Sequence, residues 1–212
     1  MFIELVDLLR CPVPHDETWL VATVERMRDR AILDGVLGCP ICLAEYPVRA
    51  GVVYFAPEET APSTASSPRP DDAMRIAAGL DLTDARTVAV LQGRWGENAH
   101  LVRSLSPSQL LVLNPPRDLA VAEGISAIVS HGVPLAAASV GAVAFDETAT
   151  PDVSDALVRS LRPGGRVLGP ASTNPPEGVT VVARDDTLWV GERAAAASTI
   201  VPLGRRSRRE QA

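Results

Sequence analysis

Cys39-Pro40-Ile41-Cys42 forms a Cys-x-x-Cys knuckle, a spacing that lets two thiolates point at one metal ion. A third cysteine, Cys11, lies well upstream, and the chain has 3 cysteines in all. An odd number argues against a disulfide framework. A closed tetrahedral zinc site needs four ligands, so the fourth must come from another residue type. His15 follows Cys11 at Cys-x-x-x-His spacing and completes a Cys11, His15, Cys39, Cys42 set. Asp16, Glu17 or a water molecule are the alternatives at the fourth position. Histidine serves only if neutral, with its second ring nitrogen hydrogen-bonded. Four protein ligands leave no room for substrate, so such a site is structural. A redox pair is a competing reading, but redox Cys-x-x-Cys units open a helix after a strand. Here the knuckle runs into the strand-like EYPVRAGVVYF. A vestigial site is the remaining reading.

Other groups are weaker candidates. Gly93 and Gly96, in LQGRWGENA, lie between an apolar strand run and a helix-like segment. Glycines there permit a tight turn and close approach of a ligand to the backbone. Asp146 and Glu147 follow another strand run and have the chemistry of general bases, although acids at this place more often cap a loop or helix. His100, Ser130, His131 and Ser139 form no recognisable nucleophilic set.

These residues need elements to position them. Phe2–Arg10 has apolar residues at helical spacing but reads equally as a strand-like lead-in. The stretches 19–25 and 31–37 are strand candidates, and 46–55 reads as two short strands around Ala50-Gly51. Further on, strand runs at 87–91, 109–113, 125–129, 141–145 and from 166 alternate with helix-like segments at 72–80, 97–105 and 151–161. Alternation of this kind implies a mostly parallel sheet covered on both faces. A hairpin around Asp185-Asp186 would add an antiparallel edge. The expected fold class is α/β: a small β-rich zinc ribbon followed by a minimal Rossmann-like sheet.

The expected domains are a ribbon at 1–56, a flexible Pro/Ser/Thr-rich linker at 57–72, a Rossmann-like domain at 73–203 and a disordered basic tail at 204–212. A unit of under about 60 residues has little core and commonly needs a metal staple. The 212 residues include 20 basic groups, every one of them Arg, against 26 acids, for a net charge of −6. The ribbon has 8 acids and 5 Arg (net −3), and residues 57–203 have 17 acids and 11 Arg (net −6). Nucleic acid is therefore not an expected partner, apart from weak contacts by the tail, with its 4 Arg. No apolar run reaches membrane-spanning length and no signal peptide is evident, so the expected location is the cytoplasm.

Two resemblances add to this reading. LLRCP followed by CPICLAEYPVRAGVVYF resembles the zinc-ribbon family of tRNA-methyltransferase activators and its short bacterial relatives. Tyr46, Pro47, Val48, Arg49 and Gly51 match that family's pattern. Ala50 replaces its usual Asp and Val53 its usual Pro, and the family commonly has Cys where Pro14 or His15 stands. The match spans about 55 residues and implies a non-catalytic protein that binds and stabilises methyltransferases. Residues 73–191 resemble the class I S-adenosylmethionine-dependent methyltransferases, through RTVAVLQGRWGENAHLV, QLLVLNPP, VPLAAASVGAVAFDE and LVRSLRPGGRVLG. That resemblance implies cofactor contacts at Gly93, Gly96 and Asn114. The family's glycine loop has Gln92 and Arg94 at two of its glycine positions. Asn114 stands where an acid usually holds the ribose, and His131-Gly132 replaces the Gly-Asp at the adenine. The expectation is a pseudoenzyme: a non-catalytic accessory protein with structural zinc that engages a protein partner, such as a methyltransferase or a larger assembly. The alternative is an S-adenosylmethionine-dependent methyltransferase with an atypical cofactor loop.

Overall fold

The computed structural model describes residues 1–62 and 67–194. A 3₁₀ segment, Ile3–Leu8, leads into an antiparallel meander of β1 (Val21–Arg28), β2 (Ala31–Gly38), β3 (Glu45–Arg49) and β4 (Val52–Tyr54). Then come α1 (Pro70–Gly79), β5 (Val88–Gln92), a 3₁₀ turn at Gly93–Asn98, α2 (Ala99–Leu105), β6 (Gln109–Leu113), β7 (Ile125–Val129) and β8 (Val140–Ala144). The described chain ends with α3 (Pro151–Ser160), β9 (Leu161–Pro170), β10 (Val179–Arg184) and β11 (Leu188–Arg193).

All the strands join one 11-stranded sheet in the order β1-β2-β3-β4-β7-β6-β5-β8-β9-β11-β10. The segment β7-β6-β5-β8-β9 is parallel and doubly wound, with its order reversing between β5 and β8. The sheet is thus far larger than the minimal Rossmann arrangement expected. The reason is β4, which pairs in parallel with β7 through Val52↔Ala127, Val53↔Ile128 and Tyr54↔Val129. Hydrogen bonding therefore crosses the expected ribbon boundary without a break.

Alternation along the central strands separates two cores. Ala89, Leu91, Leu110 and Val112 pack with Ala73, Ile76 and Leu80 of α1 and with Ala99 and Val102 of α2. Val90, Leu111, Leu113 and Val143 point the other way and share a cluster with Leu157 and Val158 of α3. That second cluster also contains Met1, Leu5, Leu9, Leu37, Tyr46 and Val53 from the N-terminal part. The connections after β6 and β7 contain no helix, yet a parallel sheet needs both faces covered. The N-terminal segment supplies the missing cover. Leu9 bridges to Leu135, and the Ala136 amide donates to the Leu8 carbonyl at 2.8 Å.

The helix ends follow their sequence signals. Pro151 opens α3, and Thr150 caps it by accepting from the Val153 amide at 3.4 Å. The expected linker at 57–72 is ordered over much of its described length. Glu58–Thr60 form a 3₁₀ turn, and Pro70, Asp71 and Asp72 are the first turn of α1. The Arg69 amide donates to the Asn98 side chain at 2.7 Å, tying down the helix start. The basic tail at 204–212 lies outside the described residues. No described helix is long and apolar enough to cross a membrane.

Candidate metal centre and the crevice at the switch point

Cys11 is presented by a backbone anchored on both sides. The Arg10 amide donates to the Pro134 carbonyl at 2.9 Å, and Arg10 bridges to Trp19. The Arg10 guanidinium lies 4.9 Å from the centre of the Trp19 ring and pairs with Glu17 at 2.9 Å, closing the loop that holds His15. The other two cysteines lie in a turn between β2 and β3, not at a helix start, so the redox arrangement weighed from sequence is absent. The Cys39 amide donates to the Ala44 carbonyl at 2.9 Å and the Leu43 amide to the Cys39 carbonyl at 3.0 Å. This tight knuckle forces Leu43 to a φ of 61°.

The ligand atoms of Cys11, His15, Cys39 and Cys42 all lie within 4.8 Å of one another. Zn–S bonds of roughly 2.3 Å and Zn–N bonds of roughly 2.0 Å put two sulfurs of a tetrahedral site about 3.8 Å apart, and a sulfur and a nitrogen about 3.5 Å apart. Cys11 Sγ and Cys42 Sγ are 3.6 Å apart, and Cys39 Sγ and His15 Nε2 are 3.3 Å apart. His15 Nδ1 lies 2.6 Å from the Asp16 carbonyl oxygen. An Nδ1–H donated there leaves the Nε2 lone pair facing the sulfurs, which is the tautomer a ligand needs. The donor set therefore fits a zinc ion. Asp16 contributes its backbone carbonyl behind the histidine.

Electrostatics bring two of the three thiols below their ordinary pKa, while Cys42 is pushed up, the Ala44 amide being outweighed by burial and by Cys39 and Cys11. Burial pushes the Cys39 thiol up, but the amides of Cys42 and Ile41 bring it below its ordinary value. Burial also raises the Cys11 thiol, and the Tyr46 hydroxyl and the Val13 amide more than reverse this. Burial and the neighbouring Cys11 push the Tyr46 phenol well up, so it remains a donor, 3.1 Å from Cys11 Sγ. The role of Tyr46 was not legible in the sequence, because it depends on β3 returning beside the N-terminal loop.

The second candidate site is the crevice outside the carboxyl ends of β5 and β8, where doubly wound sheets bind ligands. Here protein groups cross it. The Asp146 carboxylate accepts from the Arg94 amide at 2.7 Å, from the Thr148 amide at 3.0 Å and from the Thr148 hydroxyl at 2.5 Å. The Gln92 side chain accepts from the Asp146 amide at 3.2 Å and donates to Thr148 Oγ1 at 2.9 Å. Trp95 is buried among α1 and α2, and its indole N–H donates to the Phe145 carbonyl at 3.0 Å.

The three residues expected to touch a cofactor are engaged in the same way. Gly93 has a φ of 64°, and a Cβ there would fall on the Asp146 carboxylate. At Gly96 a Cβ would lie 2.7 Å from Val112 Cγ1, so this glycine serves close packing on the sheet. The Asn114 side chain accepts from the Ser130 amide at 2.9 Å and donates to the Ser130 carbonyl at 3.0 Å. Gly93, Gly96 and Asn114, the three positions expected to contact S-adenosylmethionine, are each packed against or hydrogen-bonded to neighbouring protein in this structure. The donors and space such a cofactor requires do not fit these residues. A surface cleft of about 370 Å³ lies instead at the carboxyl ends of β4, β6 and β7, bordered by Tyr54, Pro116, Arg117 and Val129 and by none of the three. Asp146 and Glu147 do not face an open site as bases: Asp146 is the buried loop clasp, and Glu147 lies 3.7 Å from Arg94. His100, on α2, and His131, in the loop after β7, are both exposed.

No family model and no curated protein matches the sequence. Solved structures similar to part of the chain include several methyltransferases and a [4+2]-cyclase. A geranyl diphosphate methyltransferase solved with S-adenosylmethionine is 17% identical, with a TM-score of 0.41, over 47% of this chain and 48% of that one. The Streptomyces coelicolor geranyl diphosphate C-methyltransferase is also 17% identical, with a TM-score of 0.40, over 47% of this chain and 42% of that one. A methyltransferase from Aquifex aeolicus is 12% identical, with a TM-score of 0.40, over 57% and 87%. The chain thus spans about half the length of the first two.

Proposed function

We propose that this chain is a non-catalytic binding protein: a zinc-stapled pseudo-methyltransferase that presents a surface to a protein partner. The observation that carries the reading is the Asp146 clasp, which joins the β5 and β8 loops across the crevice a cofactor would have to enter. The metal centre supports it, because four protein ligands hold a metal closed and leave no position for substrate. An active methyltransferase would need the Asp146, Gln92 and Thr148 bonds to break and the Asn114 side chain to be released.

Strand β4 pairs with edge β7 of the methyltransferase-like sheet, and in this reading it takes toward that sheet the part the ribbon family takes toward its partners. The surface left for an outside partner surrounds the metal centre, where Trp19, Val21, Ile41 and Leu43 are exposed together with Val13.

The test is calorimetric titration of the full chain with S-adenosylmethionine and with S-adenosylhomocysteine. The expected result is no binding at millimolar ligand. Micromolar binding overturns the reading and establishes the methyltransferase alternative.

A further inference from the structure

The four ligands are not equivalent. Cys39 is buried, Cys11 is half-buried and Cys42 is exposed. Any solute that reaches the centre meets Cys42 first. Cys11 Sγ is 3.6 Å from the Cys42 sulfur. Cys39 sits behind, with His15 Nε2 3.3 Å from its sulfur and the knuckle amides around it.

From this asymmetry we propose that Cys42 is an oxidative modification site, and that Cys11, not its knuckle partner Cys39, closes the resulting disulfide. The proposal rests on the zinc reading of the centre. The oxidant is hydrogen peroxide. The Cys42 thiolate attacks one peroxide oxygen, the O–O bond breaks, and Cys42 becomes a sulfenic acid as hydroxide leaves. The Cys11 thiolate then attacks the Cys42 sulfur; the S–S bond forms, the S–O bond breaks, and a second hydroxide leaves. Two thiolates lose two electrons in total, and hydrogen peroxide gains them. The ion loses two of its four ligands and is released to solvent. Closure to a disulfide of about 2.05 Å requires the two sulfurs to approach by about 1.5 Å, and Cys42 is the exposed one of the two. The sequence alone points to the opposite pair, since Cys39 and Cys42 are neighbours in the knuckle. The three-dimensional arrangement separates them by accessibility.

The experiment treats the zinc-loaded full chain with hydrogen peroxide in the presence of a chromophoric chelator. Remaining thiols are then blocked with N-ethylmaleimide and the peptides are mapped by mass spectrometry. The expected result is one zinc released per disulfide, a Cys11–Cys42 cross-link, and Cys39 alkylated. A Cys39–Cys42 or Cys11–Cys39 cross-link overturns the proposal, as does oxidation without release of zinc. Protein purified without chelator that contains no zinc refutes the metal reading instead, and the peptide map of that metal-free protein still decides which pair closes. Tyr46→Phe is the second arm. It removes the hydrogen bond to Cys11 but keeps the ring packed on Phe55, 4.7 Å away between centroids. Faster alkylation of Cys11 by N-ethylmaleimide in this variant is expected, and an unchanged rate counts against the shielding of Cys11 that makes Cys42 the first target.

Discussion

Removing zinc should destabilise the whole chain, not only residues 1–56. Consider the ribbon unfolding while β5–β11 stay folded. Strand β7, buried along its whole length, would lose its β4 neighbour. Met1, Leu5, Leu9 and Val53 would leave an apolar cluster that also contains Leu111, Ile128 and Val143. Each of those four side chains is buried to within 2% of full enclosure, and burial of one such side chain is worth about 1.5–3 kcal/mol. The four together give about 6–12 kcal/mol on that scale, comparable with the about 5–15 kcal/mol that holds an ordinary domain. Partial unfolding is therefore nearly as costly as complete unfolding, and one transition should result. Free zinc at a hundred times its dissociation constant adds about 2.7 kcal/mol. At about 2–4 °C per kcal/mol for a chain of this size, chelation should lower Tm by about 5–11 °C. The assay is thermal unfolding of the full chain with and without chelator. Near-ultraviolet dichroism reads Trp95, in the turn after β5, and Trp189, on β11, both buried outside residues 1–56, and far-ultraviolet dichroism reads the backbone. Both should shift together. A near-ultraviolet transition unmoved by chelation, while residues 1–56 become sensitive to protease, would refute the coupling.

Other expectations follow from single contacts. Gly93→Ala forces a side chain onto Asp146 at a positive φ, so a loss of about 1–3 kcal/mol is expected; an unchanged denaturant midpoint would show that the β5 and β8 loops are not clasped as described. Tyr46→Phe deletes a hydrogen bond to a charged sulfur, and zinc competition should show affinity weaker by about ten-fold. Asp185 accepts from the Thr187 hydroxyl and from the Thr187 and Leu188 amides, which lower its pKa to about 2 from an ordinary 3.8. Because the folded value is the lower one, this stabilisation is present above pH 3.8 and is lost as pH falls towards 2. Denaturation midpoints measured across that interval should fall more steeply for the wild type than for Asp185→Asn, and parallel curves would exclude a contribution from this turn.

Local order was legible in the sequence wherever local chemistry determines it. The apolar run at Val88–Leu91 is β5, the pair Thr150-Pro151 starts α3, and the Ala50-Gly51 turn joins β3 to β4. The Cys-x-x-Cys knuckle and the position of His15 were legible for the same reason: ligand spacing is a local property. Pairings between distant residues were not. Val53 lies next to Ile128 because a short, ordinary strand meets an open parallel edge, and nothing in VVY distinguishes a parallel partner from an antiparallel one. Asp146 illustrates a second limit. An acid after a strand looks the same whether it faces substrate or accepts amides from the next loop, and only the placement of Arg94 and Thr148 decides. Composition alone does not show order at the ends of the expected linker, where Glu58–Thr60 form a 3₁₀ turn and Pro70 opens α1. Low hydrophobicity says that a segment has no core of its own, but Asn98 supplies an external partner for the Arg69 amide.

The metal centre and the enlarged sheet answer the same physical problem. A parallel sheet with helix-free connections after β6 and β7 leaves one face and one edge open to water. The chain closes the edge with β4 and the face with Met1–Arg10, two segments too short to hold a fixed position on their own. Cys11 directly follows the segment that covers the face, and Tyr46 on β3 links Cys11 to Phe55, whose amide donates to the Val129 carbonyl at the end of β7 at 2.8 Å. One ion held by Cys11, His15, Cys39 and Cys42 would therefore fix both covers at once. The opposite demand applies at the far edge, where β10 is the last strand among the described residues. There the sheet carries a register irregularity between Val181 and Ala183, and the outer edge of β1 carries one after Val24. Bulges at both ends discourage the addition of a further strand. With its two edges irregular and its switch-point crevice clasped, the molecule still exposes apolar side chains at the Cys39–Cys42 knuckle, Ile41 and Leu43.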